Sequence, residues 1–162
     1  MTARRISIVG FSVALALSAS AFALVPLAPS GFIQIFPDEI QWMQGPTLPK
    51  GGEVAVVYGD TRKPAPYITR VKMPADFRIE PHSHPDERVY TVISGTFYIG
   101  FGDTFDPDRL MAFAPGSAFV VPANASHFHW TKSGASVVQI SGLGPTRTEF
   151  LPYDYDTREW QR

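Results

Sequence analysis

Cysteine is absent from the chain, which rules out disulfides and a lipid-modified cysteine anchor, so the fold must stand without covalent cross-links. Also missing is any block of lysine and arginine. The 14 basic and 15 acidic residues are spread along the sequence, giving a formal net charge of -1 and no electrostatic footprint for nucleic acid. A small molecule is the expected partner. No repeat of solenoid period and no low-complexity tract occurs, and 162 residues suffice for one domain but are short for two. What the chain does have is 15 prolines and 13 glycines scattered among 12 phenylalanines and many Val and Ile. That is the composition of many short strands joined by tight turns, and it points to an all-β fold.

Residues 1–23 read as a secretory signal peptide. Arg4 and Arg5 precede an apolar stretch from Ile6 to about Leu17, and small residues follow, ending in Ala21-Phe22-Ala23. An uncleaved membrane anchor is the alternative, because Ile6 to Ala23 approaches the roughly 20 residues that a spanning helix needs. Cleavage before Leu24 would remove two arginines and no acid, leaving a mature charge of about -3. The expected location is periplasmic or secreted, with no membrane association after cleavage. Residues 24–36, with Pro26, Pro29, Ser30 and Gly31, read as a linker into a domain spanning 37–150, and 151–162 as a polar C-terminal tail. A partly ordered tail is expected, the alternative being that its aromatic residues staple it to the barrel or to a second subunit in a homodimer.

Within 37–150 the β-prone runs are Val54 to Tyr58, Tyr67 to Met73, Arg88 to Ile93, Thr96 to Phe101, Ala118 to Val121, His127 to Thr131 and Ser136 to Ile140. Ser94-Gly95 reads as a hairpin turn joining two of them. A short helix is expected between Asp106 and Phe113, with Asp106 as N-cap and Pro107 at the first helical position.

The chemistry is concentrated in histidine. The chain has four, and all fall into two His-x-His pairs, His82-Ser83-His84 and His127-Phe128-His129. Side chains alternate faces along a strand, so each pair presents both imidazoles on one side. If the two strands face each other across a barrel, all the imidazoles converge. Imidazole suits Zn, Cu, Fe and Ni, and a three-His set leaves coordination positions open for water, dioxygen or substrate.

The surroundings of both pairs resemble the two motifs of the cupin family. The first motif is Gly, five residues, His-x-His, three or four residues, Glu, six residues, Gly. Here it runs from Asp76 to Gly95 as DFRIEPHSHPDERVYTVISG, with Asp76 in place of the leading Gly. The second is Gly, five residues, Pro-x-Gly, two residues, His, three residues, Asn. Here it runs from Gly116 to Thr131 as GSAFVVPANASHFHWT, with Asn124 and Thr131 in place of Gly and Asn. Asn tolerates left-handed backbone geometry, so the turn at Asn124 should survive. The resemblance covers roughly residues 36 to 150 and extends to a group of small exported bacterial cupins. It implies a single jelly-roll barrel, or double-stranded β-helix, in which His82, His84 and His127 ligate a divalent metal, one of Fe, Ni, Cu, Mn or Zn.

The family's glutamate ligand is not in place. Counting back from Gly95 puts Arg88 at its position, and parity agrees, since 82, 84 and 88 share a face that Glu87 does not. Three readings stay open. A bulge near Pro85-Asp86 would re-aim Glu87 to ligate. Arg88 would instead sit inside beside a three-His site, repelling a cation but suiting an anionic substrate. His129 would supply a fourth nitrogen or a proton-transfer group. Tyr90 shares the inward parity and joins the candidates.

Two functions follow. One is a metal-dependent enzyme, of the dioxygenase or isomerase kind, acting on a small, anionic or enolate-like molecule. The other is a barrel that binds or senses a metal or small ligand without turnover.

Overall fold

Alternation of inward and outward side chains, broken at a few bulges, builds the architecture. In Arg88–Ser94, for example, Arg88, Tyr90 and Val92 are buried while Val89 and Ile93 are exposed, as on a strand with one face on a core. The computed structural model describes residues 28–151, together with the backbone of two short strands beyond them. The expected signal peptide 1–23, the linker as far as residue 27 and parts of the tail 151–162 lie outside the described residues.

The strands are β1 (Met43–Gln44), β2 (Glu53–Tyr58), β3 (Pro66–Met73), β4 (Arg78–Ser83), β5 (Arg88–Ser94) and β6 (Phe97–Phe101). They continue as β7 (Met111–Phe113), β8 (Ala118–Val121), β9 (His127–Trp130), β10 (Ser136–Leu143), β11 (Glu149–Phe150), β12 (Tyr153–Asp154) and β13 (Glu159–Trp160). Two antiparallel sheets enclose the core. One has the order β1-β2-β3-β10-β5-β8 and the other β11-β4-β9-β6-β7, while β12 and β13 pair with each other. Such non-sequential antiparallel order is that of an all-β jelly-roll barrel. Met73, Phe77, Ile79, Val92, Phe97, Ile99, Val121 and Val138 form the centre of the core.

Each β-prone run expected from the sequence is a strand. Two local expectations are corrected. Ser94-Gly95 is not a hairpin, because β5 and β6 lie in different sheets and the chain crosses between them there. Gly95 does take the positive φ of 71°. Its space is closed by the backbone of Ala135 and Ser136, so the turn is pressed against the start of β10 rather than folded back on β5. The helix expected from Asp106 is a single 3₁₀ turn, Pro107–Arg109, capped by Asp106 accepting from the Asp108 amide. It stops because Met111–Phe113 pairs with β6 instead.

Pro81 shapes the strand that carries the first histidine. Along β4, Ile79 opposes His129 and His82 opposes His127, so an extra residue is accommodated between them. This is a bulge, at a proline that has no amide to give to a ladder. It allows Ile79 and His82 to face inward although their numbers differ in parity. In β9 the outward Phe128 is buried too, packing over Gly100 on β6 and against the Phe105 ring at 4.9 Å. A side chain at Gly100 would occupy the place of the Phe128 ring.

Candidate metal centre

β9 is held between β4 and β6, and this placement brings the histidine pairs together. His127 and His129 project from β9, and His82 opposes His127 across the β4–β9 ladder. Ring centroids lie 4.4 Å apart for His82 and His127, 5.0 Å for His127 and His129, and 5.3 Å for His82 and His129. One ring nitrogen from each of these residues falls within 4.8 Å of the other two, so the group could hold a metal ion. All three are buried.

Hydrogen bonds set which nitrogen each ring offers. The Nδ1–H groups of His82 and His127 donate to the carbonyls of Glu80 and Ala125, at 2.7 and 2.8 Å. That leaves Nε2 as the lone-pair nitrogen, the arrangement in which metal-binding imidazoles are commonly oriented. His127 Nε2 and His129 Nδ1 are buried with no hydrogen-bond partner. Buried nitrogens without partners are costly, and a metal ion would satisfy both. The donor set therefore fits a divalent ion.

Burial, first of all, pushes the His82 and His129 pKa values well below 6.5, and the neighbouring imidazoles add to the effect. His127 is lowered to about 4, by burial and then by the Arg88 charge. His84 is lowered to about 3 by the same two causes in that order. The imidazoles are thus neutral near pH 7, the form that ligates.

His84 adjoins this group, outside the three residues whose ligand atoms all lie within 4.8 Å of one another. Its ring lies 5.0 Å from His82 and 5.2 Å from His127, and its Nδ1–H donates to the Arg147 carbonyl at 2.8 Å. The Asn124 amide donates to the His84 carbonyl at 2.7 Å, tying the turn of the second motif to the first. Asn124 takes the left-handed φ of 60° there.

Arg88 is buried and lines the same cavity, whereas Glu87 is exposed on the other face of the chain. The bulge lies at Pro81, upstream of both histidines, so it does not turn Glu87 inward. Tyr90 is buried beneath the site, stacked on Phe119 at 5.3 Å with its ring centroid 6.1 Å from His129. Burial pushes its pKa up.

Asp86, Tyr67 and Thr146 complete the site without having been expected from the sequence. Arg88 Nε lies 3.2 Å from Asp86 Oδ2, and the Tyr67 hydroxyl donates to the same oxygen at 2.5 Å. The Thr146 hydroxyl accepts from Arg88 Nη2 and donates to Asp86 Oδ1. Burial raises the Asp86 pKa, but the bonds from Thr146 and Tyr67 and the Arg88 charge outweigh it, so the net shift is downward. Asp86 was legible in principle, since 86 has the same parity as 82, 84 and 88. Tyr67 and Thr146, from distant strands and loops, carry no comparable signal.

A family model described as Cupin matches residues 62–150. No functionally curated protein matches the sequence. Among solved structures, the polyketide cyclase RemF from Streptomyces resistomycificus superposes with a TM-score of 0.62 and 16% identity, over 77% of this chain and 89% of that one. KdgF from Halomonas sp. gives 0.53 and 20%, over 67% of this chain and 93% of that one. The DMSP lyase DddQ from Ruegeria pomeroyi gives 0.53 and 16%, over 66% and 57%. At such identities the likeness is one of fold.

Proposed function

Because the chain belongs to the cupin family, we propose that it is a metal-dependent enzyme acting on a small organic molecule through the His82, His127 and His129 site. The observation that carries this reading is the pair of buried, partnerless nitrogens, His127 Nε2 and His129 Nδ1, in one group with His82. A divalent ion held there would supply Lewis acidity and open positions for an oxygen-bearing ligand or dioxygen. Imidazole-only donors favour Fe, Ni, Cu or Zn over Mn.

The chain's own residues do the rest. His84 is kept in one tautomer by the Arg147 carbonyl, and its Nε2 is free to accept a hydrogen bond from a ligand in the cavity. Arg88 Nε and Nη2 are engaged by Asp86 and Thr146. Arg88, which is also hydrogen-bonded with Tyr90, therefore acts on an anionic or enolate-like ligand through the field of a guanidinium partly offset by Asp86. Tyr90 supports His129 from below by packing. His82, His84, His129 and Arg88 are buried, and electrostatic interactions are stronger in such surroundings than in water.

A dioxygenase- or isomerase-like reaction is the specific form of the proposal. Oxygen uptake and product formation across a panel of enolisable and phenolic acids, with Fe-, Ni- or Cu-loaded protein, would test it. Turnover of a panel member that is lost on His127→Ala supports it. Stoichiometric binding without turnover would favour the second reading, a binding or sensing barrel. One observation favours that reading: Asp86 already accepts from Tyr67, Thr146 and Arg88, so it is not placed as a base.

The proposal includes export, supported by Arg4, Arg5, the apolar run after them and Ala21-Phe22-Ala23. N-terminal sequencing of the protein from the periplasm or medium would begin at Leu24 if cleavage occurs as proposed.

A further inference from the structure

The inner face of β3 turns Tyr67, Thr69 and Val71 towards the cavity beside the histidines, which has a volume of about 440 Å³. Thr69 is only 8% exposed, and its neighbours in the sheet are Val56 of β2 and Ile140 of β10, which line the cavity with it. Its hydroxyl makes no hydrogen bond among the described residues. The other hydroxyls of the cavity wall are differently placed. Tyr67 donates to Asp86, Thr146 bridges Asp86 and Arg88, Tyr90 bonds with Arg88, and the hydroxyls of Thr47 and Thr148 meet at 3.4 Å. Thr61 has no side-chain bond either, but it is only half-buried and within reach of solvent.

Valine has the shape of threonine and the same preference for strands, and at 69 it would pack against Val56, Ile140 and Val71 without burying a hydroxyl. A buried hydroxyl is costly unless it is paired, and the fold supplies Thr69 with no partner. We infer that Thr69 is a specificity-determining residue whose hydroxyl pairs with a second oxygen on the ligand, so that the substrate class is a hydroxy or oxo acid. The inference rests on the proposed reading of the histidine end as the place where the acidic head docks. A threonine hydroxyl both donates and accepts, so a hydroxyl or a carbonyl oxygen suits it equally. The sheet register gives the spacing. One inward row runs Thr69, Ile140, Tyr90 and Phe119, and Arg88 stands in the next row with Gly142 and Tyr67. Two strand spacings put Thr69 about 10 Å across the sheet from Tyr90. A ligand with its head at the histidines and Arg88 therefore meets Thr69 through an atom farther along its body. A ligand without oxygen there leaves the Thr69 hydroxyl unpaired, which is the physical source of the discrimination.

The test compares naphthoate with the set of naphthoates that carry one hydroxyl on the ring away from the carboxylate. Binding is read by calorimetry on metal-free and on Zn-loaded protein, for the wild type, Thr69→Val and Thr69→Ser, with metal content and thermal unfolding measured for each. At least one hydroxynaphthoate should bind the wild type about tenfold more tightly than naphthoate, the size of one buried hydrogen bond. Thr69→Val should abolish that preference while leaving naphthoate affinity, metal content and the unfolding midpoint no lower than in the wild type. Thr69→Ser, which keeps the hydroxyl, should retain most of the preference. The inference is overturned if no hydroxynaphthoate binds the wild type more tightly than naphthoate, or if the preference survives in Thr69→Val. A Thr69→Val protein that unfolds earlier and loses metal overturns it too, since the hydroxyl would then serve the fold. The preference, found in protein that takes up no metal, would sustain the role of Thr69 while removing the metal reading. Metal uptake without the preference would do the reverse.

Discussion

Arg88 and Asp86 form an ion pair inside the barrel, two residues apart on the chain, with side chains that are 8% and 6% exposed. An arginine at the place where the family's motif has a ligand glutamate would repel a cation if it stood alone. Here its charge is offset at 3.2 Å by a carboxylate that Tyr67 and Thr146 also hold. Removing one partner of a buried pair leaves an uncompensated charge. Arg88→Met should therefore destabilise the protein by about 3–5 kcal/mol, and Arg88→Met with Asp86→Leu by clearly less than the two single effects together. A denaturant double-mutant cycle measures this, and additive effects would show that the pair is not coupled.

Glu87 faces solvent, so Glu87→Ala should leave stability within about 0.5 kcal/mol of wild type and metal affinity unchanged. Titration of the variant with Zn or Ni reads this directly. A loss of affinity of about tenfold or more would mean that the chain rearranges at Pro85-Asp86 to bring Glu87 in.

Gly142 makes room for the ion pair's supports. A Cβ there would lie 2.6 Å from the Tyr67 hydroxyl and 2.8 Å from Asp86 Oδ2. Gly142→Ala should push these groups apart and cost about 1–3 kcal/mol, the usual penalty of overpacking a core. Thermal unfolding of the variant checks the size of the effect, and an unchanged midpoint would mean that the network yields without strain.

The metal-free protein should lose stability in mild acid. The folded state keeps its imidazoles neutral, with His127 at about 4 and His84 at about 3, while the unfolded chain takes up protons from about 6.5 downward. The unfolded state thus binds more protons in this window, so the contribution is complete above about 6.5 and declines as pH falls towards 4. The slope is up to about 1.4 kcal/mol per pH unit for each imidazole. Chemical unfolding of the apoprotein between pH 7 and pH 4 measures it. A saturating divalent ion should shift the acid transition to lower pH by binding the folded state alone.

Much of this was readable from the chain, for stated physical reasons. The strands announced themselves through β-branched and aromatic runs, and His82, His84, Arg88 and Tyr90 shared a face by parity, as the structure has them. What parity could not reveal was the irregular part. The Pro81 bulge breaks the count between Ile79 and His82, and short strands such as β4 and β11 are held by pairing with β9 and β4 rather than by their own composition. Ser94-Gly95 had the chemistry of a hairpin, but a turn's dihedral angles do not say which sheet the next strand joins. Tyr67 and Thr146 reach Asp86 from 19 and 60 positions away, and only the closed barrel makes them neighbours.

The most direct test is the metal content of the mature, untagged protein after supplementation with Fe, Ni, Cu, Mn and Zn, compared with four single His→Ala variants. One divalent ion per chain is expected in the wild type. The ion should be lost in His82→Ala, His127→Ala and His129→Ala, and held more weakly but still present in His84→Ala. A wild type that takes up none of these metals, or His127→Ala and His129→Ala proteins that bind as well as the wild type, would contradict the assignment of the centre.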